Sequence, residues 1–184
     1  SVMDIYGFAS YSECPFPMDS DNFEYTIAIT GLVVETFDWN QETLIKTIIF
    51  SGGTLSIYED SATGSNFEDR SSLTDGTLFL QSTIDQGWEM VLSDGIGNGV
   101  YAGFADGFCD FNSGSDFSEI SDSGLSDDDW NLIGMSIRDP SFFNPVPDGY
   151  HRFCDILITS PTGYTDNNSV TWGHVKNLFQ NTHH

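Results

Sequence analysis

Carboxylates at alternate positions are the strongest chemical signal in this 184-residue chain. The run Asp110-Phe111-Asn112-Ser113-Gly114-Ser115-Asp116 sets oxygen-bearing side chains two apart before a glycine, and Glu119, Asp122 and Asp127-Asp128-Asp129 follow. Calcium takes about six to eight hard oxygen ligands, and alternate carboxylates on a curling loop can converge on one ion. Asp110, Asn112, Asp116, Glu119 and Asp122 are therefore the expected calcium ligands. Asp19 and Asp21, in Asp19-Ser20-Asp21-Asn22, form a weaker second candidate, and Glu59-Asp60 with Glu68-Asp69 a third.

The spacing is not that of an EF-hand, because the fifth loop position is Gly114 and the twelfth is Ser121 rather than glutamate. Catalytic constellations are fainter. The chain has no GxSxG, HExxH, Walker loop or GxGxxG ahead of a helix. Glu89 and Asp94 form a conceivable acid–base pair, but a chain with 28 acidic residues brings many such pairs together by chance. His151 and His174 read as a half-buried strand histidine and a polar helix histidine. No catalytic residue is assigned, and the chain is expected not to be an enzyme. Trp39, Trp88, Trp130 and Trp172 raise a sugar-binding option, since aromatic faces stack on pyranose rings; Trp88 and Trp130 head strand-like segments and read as core.

These side chains must be carried by strands. Leu44 to Phe50 is rich in β-branched and aromatic residues, Ser51-Gly52-Gly53 breaks it, and Thr54 to Tyr58 resumes with period two. Glu24 to Thr30 alternates without fault, with Tyr25, Ile27 and Ile29 on one face. Leu32 to Phe37 continues it, past Gly31, as a bulged or second strand. Further strands are expected at Asp4–Tyr11, Thr77–Gln81, Trp88–Leu92, Val100–Phe111, Trp130–Ile137 and Tyr150–Ile158, with 112–129 a long acidic loop and helical character only over 170–179. The sum is an all-β, antiparallel β-sandwich or jelly roll of about eight or nine strands with long acidic loops and at most one short C-terminal helix. It reads as one domain over 1–184, with 1–18 a donor-like strand and a linker containing Pro15 and Pro17.

Twenty-eight Asp and Glu against five Lys and Arg give a net charge of −23. That charge repels phosphate backbones and anionic membranes, which excludes nucleic acid and direct membrane insertion as expected partners, and attracts cations. It suits calcium use and a high-salt habitat equally. The 15 Phe, 7 Tyr and 4 Trp argue against an acidic disordered chain. Three cysteines permit one bridge. Cys109 and Cys154 are the preferred pair because both fall in expected strands, whereas Cys14 lies beside two prolines.

Tyr25 to Gly31, Ser51 to Asp60 and Thr74-Asp75-Gly76-Thr77-Leu78 together resemble a pattern in uncharacterised, secreted, surface-anchored bacterial β-rich proteins, over about residues 24–111. The resemblance implies an extracellular or cell-surface setting and carries no catalytic residues. The expected function is that of a structural subunit of a surface, matrix or filament, assembling as a homo-oligomer or polymer. An exposed sheet edge would accept the N-terminal strand of a neighbour through Ile5, Tyr6, Phe8 and Tyr11. The alternatives are a calcium-dependent carbohydrate-binding or adhesion module, with a glycan as partner, and a secreted hydrolase.

Overall fold

The computed structural model describes residues 1–9, 18–61, 64–94, 101–122, 129–137 and 153–159. The alternating apolar segments become ten antiparallel strands: β1 (Val2–Phe8), β2 (Glu24–Asn40), β3 (Ile45–Ser51), β4 (Thr54–Asp60), β5 (Thr77–Ile84), β6 (Trp88–Ser93), β7 (Ala102–Asp106), β8 (Phe108–Ser113), β9 (Trp130–Ile137) and β10 (Phe153–Thr159). A 3₁₀ turn, Arg70–Leu73, and one short helix, α1 (Phe117–Asp122), complete the described elements. The fold is all-β, as expected, with more strands than the sequence pattern suggests.

One expectation holds in its bulged form, and two local differences appear. The segments on either side of Gly31 form a single 17-residue strand, because Gly31 absorbs a φ of 77° and a bulge between Val34 and Thr36 corrects the register. Val100–Phe111 divides at Gly107 into β7 and β8. The acidic stretch after Phe111 is not all loop, since β8 runs on to Ser113 and α1 follows. The expected helix over 170–179 lies outside the described residues.

The strands form one sheet that bends across itself. β3 and β4 lie end to end along β2, which pairs with β4 through Glu24–Thr30 and with β3 through Val33–Asn40. β5 and β6 lie end to end along β3–β4, and β7 and β8 along β5–β6. β9 runs against both β7 and β8, with β10 outside it. The breaks fall at Gly52-Gly53, Asp85-Gln86-Gly87 and Gly107, which makes a line of corners. A Cβ at Gly107 would sit 2.6 Å from Cδ1 of Trp88, so only glycine lets the two strands approach at that corner.

Two layers result, β1-β2-β4-β5-β8 and β3-β6-β7-β9-β10, and a single hydrophobic cluster lies between them. Ile29, Leu55, Leu80 and Phe111 come from the first layer; Phe50, Trp88, Met90, Leu92 and Leu132 come from the second. Phe111 packs edge-on to Trp130 with ring centroids 5.2 Å apart, and Trp88 Nε1 donates to Leu132 O at 3.0 Å.

The outer faces of the two layers differ. Residues 64–76 fold over the first: Leu73 is fully buried, Thr26 Oγ1 donates to Leu73 O at 2.8 Å, and Phe67 packs edge-on to Phe8. Over the second layer the register puts Ile45, Ile49, Val91, Phe104, Ile133 and Leu157 on the outer side. Phe104 there is 56% exposed.

Candidate functional site

Three carboxylates meet beside the corner between the layers. Asp85, Asp110 and Asp129 each offer an oxygen, and these atoms lie within 4.8 Å of one another. Asp85 sits in the β5–β6 corner, fixed by its N–H donating to Phe108 O at 3.0 Å. Asp110 points outward from β8, between the buried Cys109 and Phe111. Asp129 immediately precedes β9 and adopts a φ of 61°, in the left-handed region that aspartate tolerates better than most side chains. Its N–H donates to Asp110 Oδ1 at 2.9 Å. Three carboxylate oxygens at this spacing could hold a metal ion, and nothing in the geometry selects calcium.

Only Asp110 of the expected calcium ligands takes part. The strand continues through Ser113 at about 3.3 Å per residue, so the alternating oxygens are strung along an edge instead of curling round an ion. Asn112 instead donates from Nδ2 to Thr83 Oγ1 at 2.8 Å. Asp116 lies beyond the Gly114 turn, near Glu59 and Glu119; burial pushes its carboxyl above the usual carboxylate range, and repulsion from those two adds to the effect. Glu119 and Asp122 are exposed on α1. Of the two partners for Asp110, Asp129 closes the acidic run in the sequence, whereas Asp85 carries no signal beyond preceding the Gln86-Gly87 turn.

The other acidic candidates are engaged locally. Asp19 Oδ2 accepts from Asn22 Nδ2 at 2.8 Å, and the Asp19 carbonyl accepts the N–H groups of Asn22 and Phe23. Asp21 is exposed in the same turn. Glu59 accepts a 2.6 Å hydrogen bond from Tyr25 Oη, whose hydroxyl is pushed up to about 12 by burial, then by that bond and charge. Asp69 caps the 3₁₀ turn, accepting from Ser71 N and Oγ, which hold its carboxyl below the usual range.

The Cys109–Cys154 bridge does not form: Cys109 is a free, buried thiol. Cys109 pairs with Trp130 at one end of β9 and Cys154 with Ser136 near the other. That separation is about 20 Å along the strand, far beyond the span of a disulfide. Burial pushes the Cys109 thiol to about 11, which removes it as a nucleophile at neutral pH. Glu89 is exposed and Asp94 buried, five residues on and about 16 Å along the strand, too far for acid–base partners. Trp88 and Trp130 are core, at 1% exposure, while Trp39 is 45% exposed.

β1 pairs with β2 of its own chain, Ile5 opposite Ile29 and Tyr6 opposite Ala28. Ile5 packs against the core, Phe8 against Phe67, and the Arg70 guanidinium lies 5.8 Å over the Tyr6 ring. Tyr11, Cys14, His151, His174 and Trp172 lie outside the described residues. Searches against known protein families, curated proteins and solved structures return no match for this chain.

Proposed function

We propose that this chain is an extracellular structural subunit that assembles with copies of itself, using the outer face of the β3-β6-β7-β9-β10 layer as its contact surface. The observation that carries this reading is the contrast between the two outer faces. One is covered by residues 64–76, while the other presents Phe104 and Ile133, ringed by Ile45, Ile49, Val91 and Leu157, with no cover among the described residues. Apolar side chains gathered on one face of a chain of net charge −23, with Glu89 and Asp106 set among them, are costly to leave in water and mark a contact surface. Burying what remains exposed of a phenylalanine already half covered contributes about 1–2 kcal/mol.

Like charge opposes the assembly. Asp38 flanks the apolar side chains and Glu89 and Asp106 stand among them, so association strengthens with ionic strength as screening shortens from about 30 Å at 0.01 M salt to about 8 Å at 0.15 M. A cation on Asp85, Asp110 and Asp129 would lower the net charge in the same direction. The N-terminal strand is not required, since β1 already pairs with β2 and Ile5 packs against the core; exchange of β1 between copies would reproduce the same pairing without adding to it.

Sedimentation velocity over a range of concentrations at low and moderate salt tests the reading. The chain is expected to self-associate more strongly at moderate salt, and Phe104→Gln to shift it to monomer while Phe37→Gln does not. A monomer at every concentration and salt would overturn the proposal.

A further inference from the structure

The inner face of β2 runs past the end of the core. Phe37 stands opposite Ile48 and Trp39 opposite Lys46, and Ile48 packs against the core. Phe37 and Trp39 thus share the core-facing side of the layer, but they are 57% and 45% exposed, so their rings form a bare aromatic shelf. Two residues of strand set them about 7 Å apart. Lys46 completes the shelf: its Nζ lies 3.5 Å from the Tyr101 ring centroid and 5.5 Å from that of Trp39. The ammonium lies over the Tyr101 and Trp39 rings, a cation–π arrangement that holds the two aromatic side chains together.

We propose that this shelf binds a neutral oligosaccharide, with successive pyranose rings stacked on Phe37 and Trp39. Three observations select that occupant. The exposed side chains are aromatic where the outer face is chiefly aliphatic, and flat rings suit the C–H face of a sugar. Beyond Val34, β2 pairs only with β3 among the described residues, so its outer edge offers backbone N–H and C=O groups to sugar hydroxyls within reach of the rings. The charge of −23 repels anionic polysaccharides, and Lys46, set between aromatic rings, is a single cation against it. The site lies on the opposite face of the layer from the proposed self-association surface, so either proposal can fail alone.

The test is tryptophan fluorescence of the intact chain titrated with cellohexaose, xylohexaose, mannohexaose and, as the anionic comparison, oligogalacturonate. Trp39 is the exposed tryptophan among the described residues, so a neutral oligosaccharide is expected to shift its emission to the blue. Trp39→Ala is expected to weaken binding about tenfold or more by calorimetry, the loss of one stacked ring. Trp39→Phe should restore most of that loss, and Phe37→Ala should weaken binding less. All three are expected to keep the parent melting temperature and sedimentation behaviour. Absence of binding to every neutral oligosaccharide at millimolar concentration would overturn the proposal. Equal binding of oligogalacturonate, or affinity unchanged in Trp39→Ala with Phe37→Ala, would do the same.

Discussion

Replacing Gly107 with alanine tests the corner on which both layers depend. The added Cβ would stand 2.6 Å from Trp88 Cδ1 and 3.0 Å from Trp88 Cα, where carbon atoms are comfortable at about 3.5–4.0 Å. Trp88 cannot swing aside cheaply, because it is buried and its Nε1 is bonded to Leu132 O. The strands cannot part cheaply either, because Leu132 N–H donates back to Gly107 O at 2.8 Å. Overpacking of this kind costs about 1–3 kcal/mol, and a strained or broken hydrogen bond adds about 1. The expected loss is about 2–4 kcal/mol out of a total stability of about 5–15. Gly64→Ala is the control, since an added Cβ there meets nothing within 4 Å. Urea unfolding followed by tryptophan fluorescence should show a lower midpoint with unchanged slope for Gly107→Ala and little change for Gly64→Ala. Equal midpoints for the two variants would refute the corner as described.

Three further outcomes are expected. The Tyr25 hydroxyl titrates near 12 in the folded chain against an ordinary 10.0, so its stabilisation is complete below pH 10 and is lost as the pH rises toward 12; a tyrosinate absorbance titration should show one late-titrating group that Tyr25→Phe removes, with a stability loss of about 1–2 kcal/mol. Asp116, raised by burial and by Glu59 and Glu119, favours the protonated form in the fold, so its contribution is greatest at acid pH and falls as the pH rises through the raised value. Because Asp116 is partly exposed, Asp116→Asn should gain at most about 1 kcal/mol at neutral pH by chemical denaturation. A divalent cation held by Asp85, Asp110 and Asp129 should raise the melting temperature by an amount that saturates, equivalent to about 2.7 kcal/mol at a hundredfold excess over Kd, and Asp129→Asn should abolish the rise.

The strands were legible where one face is apolar and the other polar, as in Glu24–Thr30 and Trp88–Leu92, because burial on one side enforces period two. Their continuity was legible in part: Leu32–Phe37 past Gly31 reads as a bulged or a second strand and is the bulged continuation of β2, and Gly107, which signals curvature or close approach of another backbone, marks the corner between β7 and β8. The difference lies in what the glycine packs against, Trp88 in one case and open space in the other, and that is set by the fold. The carboxylate cluster was half legible. Asp110 and the Asp127–Asp129 run carry the local density, but Asp85 arrives from 25 positions upstream through the β5–β8 pairing. The cysteine pairing failed for the same reason, as strand membership says nothing about position along β9.

Self-association through the outer face of the second layer is the central claim, and hydroxyl-radical footprinting across a concentration series measures it at the residues concerned. Phe104, Ile133 and Val91 are expected to become protected as concentration rises, while Phe37 and Trp39 stay as reactive as in the dilute chain. Unchanged labelling of Phe104 and Ile133 at concentrations where the chain sediments as larger species would contradict the assignment of that face.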